Sequence, residues 1–403
     1  MSEGRVVIVG GGQAGGRVAL SLRERGFHGD ITLIAAEPYL PYERPPLSKE
    51  LLTGAAEPES AFLADAARIA DLNISVITAT PATGIEPESR QVRLVDGRTL
   101  DYDDLVLATG ARPRNLVPKG MPEALPVFRS MDDALGLRES LRAGATLAVV
   151  GGGVIGLELA SSALALGVRP VIIEAADRVM ARQIGPAASR FLESLHQNAG
   201  TALHLGRHLH GVQRLDGGFV MTLDDGVEIR ADYAIAAIGV IPDTTLAEAA
   251  GLACDDGIVV DARGQTSRAG IWAAGDVARA PVPWSDRPER QESWRNAELQ
   301  GNRVAAAILG LEDDAADVVP GFWSDQLGHR LQSEGTFEGD EVVRPSDNGG
   351  FAAFHVQGRR LSGCVVLDNP KLAALTRRAI GRGAEVDPAA LVDPATDPRR
   401  ILR

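Results

Sequence analysis

At 403 residues the chain has length for two to four domains of ordinary size, which excludes a peptide or a single small module. Apolar residues at 45% and charged residues at 24% are globular values, while 45 glycines exceed the usual share of roughly 7% and must be used in particular turns. Acids outnumber bases by 13 (54 against 41), a balance that repels phosphate backbones and anionic lipid and argues against nucleic acid or a membrane as partner. The two cysteines, Cys254 and Cys364, lie 110 positions apart, so neither a disulfide framework nor a cysteine metal site is expected, and no metal site is assigned. The opening residues lack a basic, apolar and small-residue leader; the expected location is the cytoplasm.

In chain order, an apolar β-branched run at 6–9 meets Gly10, Gly12 and Gly15, followed by a helix-compatible run at 18–25 and a strand at 31–34. This is the strand, tight turn and helix of a dinucleotide unit: the first glycine permits the turn, the second lets backbone approach a pyrophosphate, and the third allows close helix packing. Glu37 follows where a carboxylate can accept from ribose hydroxyls. After a strand-like run at 105–109 the pattern recurs 141 positions on, with Gly151, Gly153 and Gly156, a helical run at 157–166, a strand at 171–174 and the acid Glu174. A carboxylate there disfavours the extra phosphate of NADPH, although Arg178 and Arg182 stand near it. Two dinucleotide sites in one chain point to a nicotinamide and a flavin exchanging hydride.

Residues 145–168 are apolar enough to suggest a membrane span, but Gly151–Gly153 interrupts them and Glu158 sits among them. Glu158 falls on the first turn of the second helix by this count, and a carboxylate in that setting needs a partner. A further strand-like run at 233–238 completes the alternation of strands and helices. Turn chemistry places boundaries at 112–114, 239–242 and 319–321. The last piece has strand-like runs at 351–356 and 361–367 and a helix near 371–380, a small α+β domain. The expected fold class is α/β, with two Rossmann-like domains and this C-terminal α+β domain.

The two fingerprints, with Arg44-Pro45-Pro46-Leu47-Ser48-Lys49, Ala108-Thr109-Gly110, Ala274-Gly275-Asp276-Val277 and Ser324-Asp325-Gln326, resemble the FAD-dependent pyridine nucleotide-disulfide oxidoreductases. Within them they resemble the ferredoxin reductase branch, which serves aromatic-ring dioxygenases and cytochrome P450 monooxygenases. The resemblance covers essentially the whole chain. It implies a glutathione-reductase-like fold: an FAD domain from residues 1–112 and 243–319, an NAD domain from 113–242 and a C-terminal domain from 320–403. The cofactors implied are FAD and NADH; the implied partner is a [2Fe-2S] ferredoxin docking transiently onto a monomer or homodimer.

Residue by residue, the resemblance assigns Gly10, Gly12, Gln13, Ala14, Gly15, Glu37, Arg44, Lys49, Ala79, Thr109, Gly110, Arg112, Gly275, Asp276, Ser293 and Trp294 to FAD. It assigns Gly151, Gly153, Val154, Ile155, Gly156, Glu174, Arg182 and Gly239 to NAD. The implied catalytic residues are Lys49, Glu158, Glu292 and Trp294, with Lys49 pairing with Glu158 beside the flavin. Relatives that reduce disulfides or peroxide need a cysteine at 38–52, and none is present, so electrons are expected to leave through the flavin to a separate one-electron carrier. For an acidic ferredoxin, the bases Arg287, Arg290, Arg295 and Arg303 near Trp294 are the favoured docking patch, ahead of the basic tail beyond Lys371. Competing readings are a flavin-dependent NADH oxidase or quinone or small-molecule reductase of the same fold, and an NADH-sensing flavoprotein.

Overall fold

The structure is a computed structural model that describes residues 4–312, 319–344 and 350–402. The chain divides into two compact units, one of Met1–Pro45, Glu57–Arg112 and Val240–Val318, the other of Pro46–Ala56, Pro113–Gly239 and Val319–Arg403.

In the first unit, five parallel strands run in the order Ile271–Ala273, Asp104–Leu107, Arg5–Val9, Asp30–Ile34, Ile74–Ile77. The central strand is apolar on both faces because both are covered, as in parallel sheets generally. Val6 and Ile8 pack with Val18 and Leu22 of helix Gln13–Glu24 and with Val304 and Ala305 of helix Trp294–Ile308. Val7 and Val9 pack on the other side with Ile85, Val92 and Leu94 of a small antiparallel sheet. The helix begins at Gln13, five residues before the expected run, because Gly12 is its N-cap and the third glycine already lies inside it.

The second unit repeats this with parallel strands in the order Ala202–Leu205, Arg169–Glu174, Thr146–Val150, Tyr233–Ala236 and with helix Val154–Ala165 following the glycine loop. Glu158 is therefore the fifth helical residue, on the second turn and not the first. Its burial follows from the helix being apolar nearly all round: Leu157, Leu159, Ala160 and Ala163 are fully buried. Residues 145–168 resolve into a strand, a loop and this helix, and among the described residues no helix is long and apolar enough to cross a membrane.

The same unit contains an antiparallel sheet in the order Gly321–Gln326, His329–Gly335, Arg360–Leu367, Ala352–Gln357, Asp340–Arg344. Helix Pro370–Gly381 covers it through Leu372, Ala373 and Ala379 against Phe354, Cys364 and Val366. Both expected strands and the expected helix are present within two residues. The segment Pro46–Ala56 forms a single wide helical turn, Leu47–Leu51, whose Leu51 and the following Leu52 are fully buried. It is tied down by Ser162 Oγ donating to the Ser48 carbonyl at 2.6 Å and Arg138 to the Leu51 carbonyl at 3.4 Å.

Candidate functional site

The first glycine loop is enforced by close approach. Gly10 has φ +128°, and a Cβ there would lie 2.0 Å from the Ala108 carbonyl oxygen; one on Gly15 would lie 2.0 Å from the Gly10 oxygen. At Gly12 a Cβ would meet nothing within 4 Å. The loop thus opens over the start of helix Gln13–Glu24, whose N-cap has no side-chain bond and whose first turn holds no acid. Free amides facing open space at a helix N-terminus suit a pyrophosphate.

Around this cradle, Glu37 accepts from the Tyr42 hydroxyl at 2.6 Å and from Arg44 at 3.0 Å. The Arg44 guanidinium is held above its ordinary range: burial opposes its charge, but Tyr42, Glu37 and Asp276 together outweigh that. Arg44 therefore sits on the acid expected at the ribose. Ala79 adopts a left-handed conformation, φ +50°, and donates to the Glu37 carbonyl at 3.0 Å. Gly275, φ +82°, packs so closely on Ala14 that a Cβ would lie 2.8 Å from the Ala14 methyl. Thr109 donates to the Asp243 carbonyl at 2.7 Å, and Asp243 N–H returns a bond to Gly110 at 2.9 Å. Gln13 donates to Glu298 at 2.7 Å, and Ser293 caps helix Trp294–Ile308 through Asn296 N–H. Arg112 is exposed, and Glu292 is exposed with its carboxylate 2.6 Å from Arg290, a surface ion pair. Glu43, which the sequence reading did not single out, has its carboxyl pushed up by burial and by Glu298, against the indole N–H of Trp294.

The second loop, in the other unit, shows the same geometry. Gly151 has φ +115° with a Cβ position 2.3 Å from the Ala237 oxygen, Gly156 would clash with the Gly151 oxygen at 2.0 Å, and Gly153 faces open space. Helix Val154–Ala165 likewise starts on a glycine N-cap without a side-chain bond; Val154 is half-buried and Ile155 exposed at that end. Glu174 accepts from Gly152 N–H at 2.5 Å and Ala176 N–H at 2.8 Å, so its carboxylate is fixed at the mouth of the loop. Gly151, Gly153, Glu174 and Ala176 border a cleft of about 490 Å³, also lined by Arg182, Arg207 and His208, within the range of small-molecule sites. Arg182 reaches Gly239, φ +102°. Arg178 is turned away: its guanidinium serves the Ile184 and Ala181 carbonyls and Ser189 Oγ at 2.7–2.8 Å. Of the two arginines noted beside Glu174, only Arg182 lines the cleft.

Lys49 and Glu158 form the expected pair, Nζ to Oε2 at 3.1 Å, with side chains 12% and 3% exposed. Ser48 Oγ is also on Oε2, and Ser324 Oγ is 2.6 Å from Oε1. The buried carboxylate thus has a cation and two hydroxyls, which answers the cost of placing it there. Neither cysteine resembles a redox thiol. Cys364 is fully buried with its thiol pushed up to about 12, mainly by burial, and burial and Glu248 raise Cys254 as well.

Two glycine cradles, each a helix N-terminus without a side-chain cap and with an acid at or just beyond the end of the next strand, define a protein with two dinucleotide sites. The chain belongs to the pyridine nucleotide-disulphide oxidoreductase family, whose model matches residues 4–301, and a reductase C-terminal model matches 321–402. It is 38% identical to putidaredoxin reductase of Pseudomonas putida over 98% of this chain and 96% of that protein. It is 35% identical to the ferredoxin reductase component of chlorobenzene dioxygenase from Cupriavidus sp. (strain PS12), over 99% and 97%. In a solved covalent complex of putidaredoxin reductase with putidaredoxin, the matching chain shares 36% identity at a TM-score of 0.94, covering 100% of this chain and 99% of that one. Family membership implies FAD and NAD(H) as the two dinucleotides, and the two open cradles accommodate groups of that chemistry.

Proposed function

We propose that this chain is an FAD-dependent NADH:ferredoxin reductase that oxidises NADH and reduces a [2Fe-2S] ferredoxin serving a dioxygenase or a cytochrome P450. The balance is one NADH and two oxidised ferredoxins giving NAD⁺, a proton and two reduced ferredoxins. FAD, when bound, supplies the conversion of one hydride into single electrons. The observation that carries this reading is the pairing of two dinucleotide cradles with the buried Lys49–Glu158 pair in a chain whose two thiols are both held above their ordinary range, first by burial. Full-length likeness to proteins named ferredoxin reductases supports the choice of acceptor.

In this reading residues 1–112 and 243–319 hold FAD, residues 113–242 hold NADH and residues 320–403 form the small α+β C-terminal domain. The amides at Gly12 and Gly153 take the two pyrophosphates, and Glu37 with Arg44 takes the FAD adenosine ribose. Glu174 accepts from the NADH ribose hydroxyls. Arg182 and Gly239 border the NADH, while Ala79, Thr109, Gly110, Asp276 and Trp294 border the FAD. Lys49 and Glu158 orient the nicotinamide. The two free cysteines favour a cytoplasmic location. The test is NADH-driven cytochrome c reduction by the purified flavoprotein, with and without an added [2Fe-2S] ferredoxin from a ring-hydroxylating system. A large ferredoxin-dependent rise is expected; NADH consumption without ferredoxin dependence would point to an oxidase or quinone reductase instead.

A further inference from the structure

The Lys49–Glu158 pair is the near end of a longer buried chain of polar groups. From Glu158 Oε1 the contacts run to Ser324 Oγ at 2.6 Å, from there to Gln326 Nε2 at 2.8 Å, from Gln326 Oε1 to His196 Nε2 at 3.0 Å, and from His196 Nδ1 to Thr201 Oγ1 at 3.2 Å. Every member beyond Lys49 is at most 4% exposed. Ser324 and Gln326 lie two apart on strand Gly321–Gln326 and point the same way, as the two-residue period requires. His196 comes from helix Pro186–Ala199.

Donor and acceptor chemistry gives the chain one direction. An ionised carboxylate only accepts, so the Ser324 hydroxyl proton goes to Glu158. Ser324 Oγ must then accept from the Gln326 amide, whose carbonyl is left facing His196. His196 Nε2 must carry a hydrogen, and Nδ1, bare, accepts from the Thr201 hydroxyl. Were His196 the other tautomer, the Gln326 amide would turn round, Ser324 would donate to it, and Glu158 Oε1 would face a lone pair. Burial lowers the affinity of His196 for a proton, in keeping with a neutral ring.

We propose that Ser324, Gln326 and His196 are positioning residues for Glu158: a one-way hydrogen-bond relay, anchored by the Nε2–H tautomer of His196, fixes the carboxylate that holds Lys49. The relay makes a strand of the C-terminal sheet part of the machinery for hydride transfer from NADH. The proposal rests on the reductase reading for what Lys49 and Glu158 do, while the direction of the relay follows from donor and acceptor chemistry with Glu158 ionised and is independent of that reading.

Two measurements test it. In holoenzyme with ¹⁵N-labelled histidine, the His196 ring at pH 7.5 is expected to show a protonated Nε2 and a bare Nδ1; a protonated Nδ1 would overturn the relay whatever the enzyme's acceptor. In anaerobic stopped flow, Ser324→Ala and Gln326→Leu are expected to slow reduction of bound FAD by saturating NADH by about tenfold or more. FAD content and NAD⁺ affinity should stay within about twofold of wild type, and adding Ser324→Ala to Lys49→Met should slow reduction little further than Lys49→Met alone. A wild-type rate in both single variants, or a parallel loss of NAD⁺ affinity, would refute the positioning role. No ferredoxin enters this assay, so failure of onward electron delivery leaves it unmoved and would count only against the reductase reading.

Discussion

Replacing Glu174 tests the cofactor assignment most sharply. The carboxylate is pinned by the Gly152 and Ala176 amides at 2.5 and 2.8 Å, and a Cβ on Gly152 would lie only 3.2 Å from it. It cannot swing away from the cleft without giving up both bonds. A 2′-phosphate brought to about 4 Å from this charge meets a repulsion of about 4 kcal/mol at the effective dielectric of a partly buried site. The ribose of NADH instead gains a charge-assisted hydrogen bond of about 1.5–3 kcal/mol. Glu174→Ala removes both effects. NADH kcat/KM should fall by roughly tenfold to a hundredfold, NADPH kcat/KM should rise by up to about a thousandfold, and the ratio between them should shift by about ten-thousandfold to a hundred-thousandfold. Glu174→Arg should carry the ratio further, with Arg182 and Arg207 already lining the cleft. Steady-state kinetics with both nucleotides at one ionic strength measure the ratio. An unchanged ratio in both variants would refute the placement of the ribose at Glu174.

Other outcomes follow from the same structure. Lys49→Met leaves a carboxylate that is 3% exposed with hydroxyl partners alone, so thermal stability should fall, in line with about 3–5 kcal/mol for breaking a buried pair from one side, and flavin reduction should slow at least about tenfold. Wild-type values of both would remove the pair from the account. His196 and His355 are both held below the ordinary histidine range, first by burial. As pH falls below about 6.5 the unfolded chain takes up protons that the native one refuses, and stability should drop by up to about 1.4 kcal/mol per pH unit for each histidine. Unfolding scans at pH 7.5 and 5.5 should show this fall, and His196→Gln should make it shallower; an equal fall in the variant would contradict the assignment. Thiol titration of the native protein should leave Cys364 unmodified while denatured protein yields both thiols, and Cys254→Ser should reduce ferredoxin at the wild-type rate. Rapid native labelling of Cys364, or a lost rate in the Cys254 variant, would reopen a thiol mechanism.

The parts of the site that were legible in sequence are those fixed by local sterics. Gly10, Gly15, Gly151 and Gly156 could be read because each faces a carbonyl oxygen too close for any side chain, and Glu37 and Glu174 because strand length fixes their distance from the loop. Lys49 and Glu158 needed the family resemblance to be joined, since more than a hundred positions separate them. What stayed hidden depends on tertiary routing. Arg178 and Arg182 look alike in sequence, yet one is consumed by its own loop while the other lines the cleft with Arg207 and His208, which arrive from beyond the next strand. Ser324 and Gln326 stood out as a motif, but nothing local signalled that they lead from Glu158 to His196. Both helices start earlier than their Ala- and Leu-rich runs signal, because the third glycine of each loop is already a helical residue.

On the proposed function, one NADH yields two singly reduced iron–sulfur carriers. An anaerobic titration measures that directly: NADH is added stepwise to catalytic flavoprotein and excess oxidised [2Fe-2S] ferredoxin while the ferredoxin's visible band is followed. Complete bleaching is expected at two ferredoxins per NADH, with no bleaching when the flavoprotein is omitted. An unbleached ferredoxin beside a flavoprotein that NADH itself reduces would contradict it.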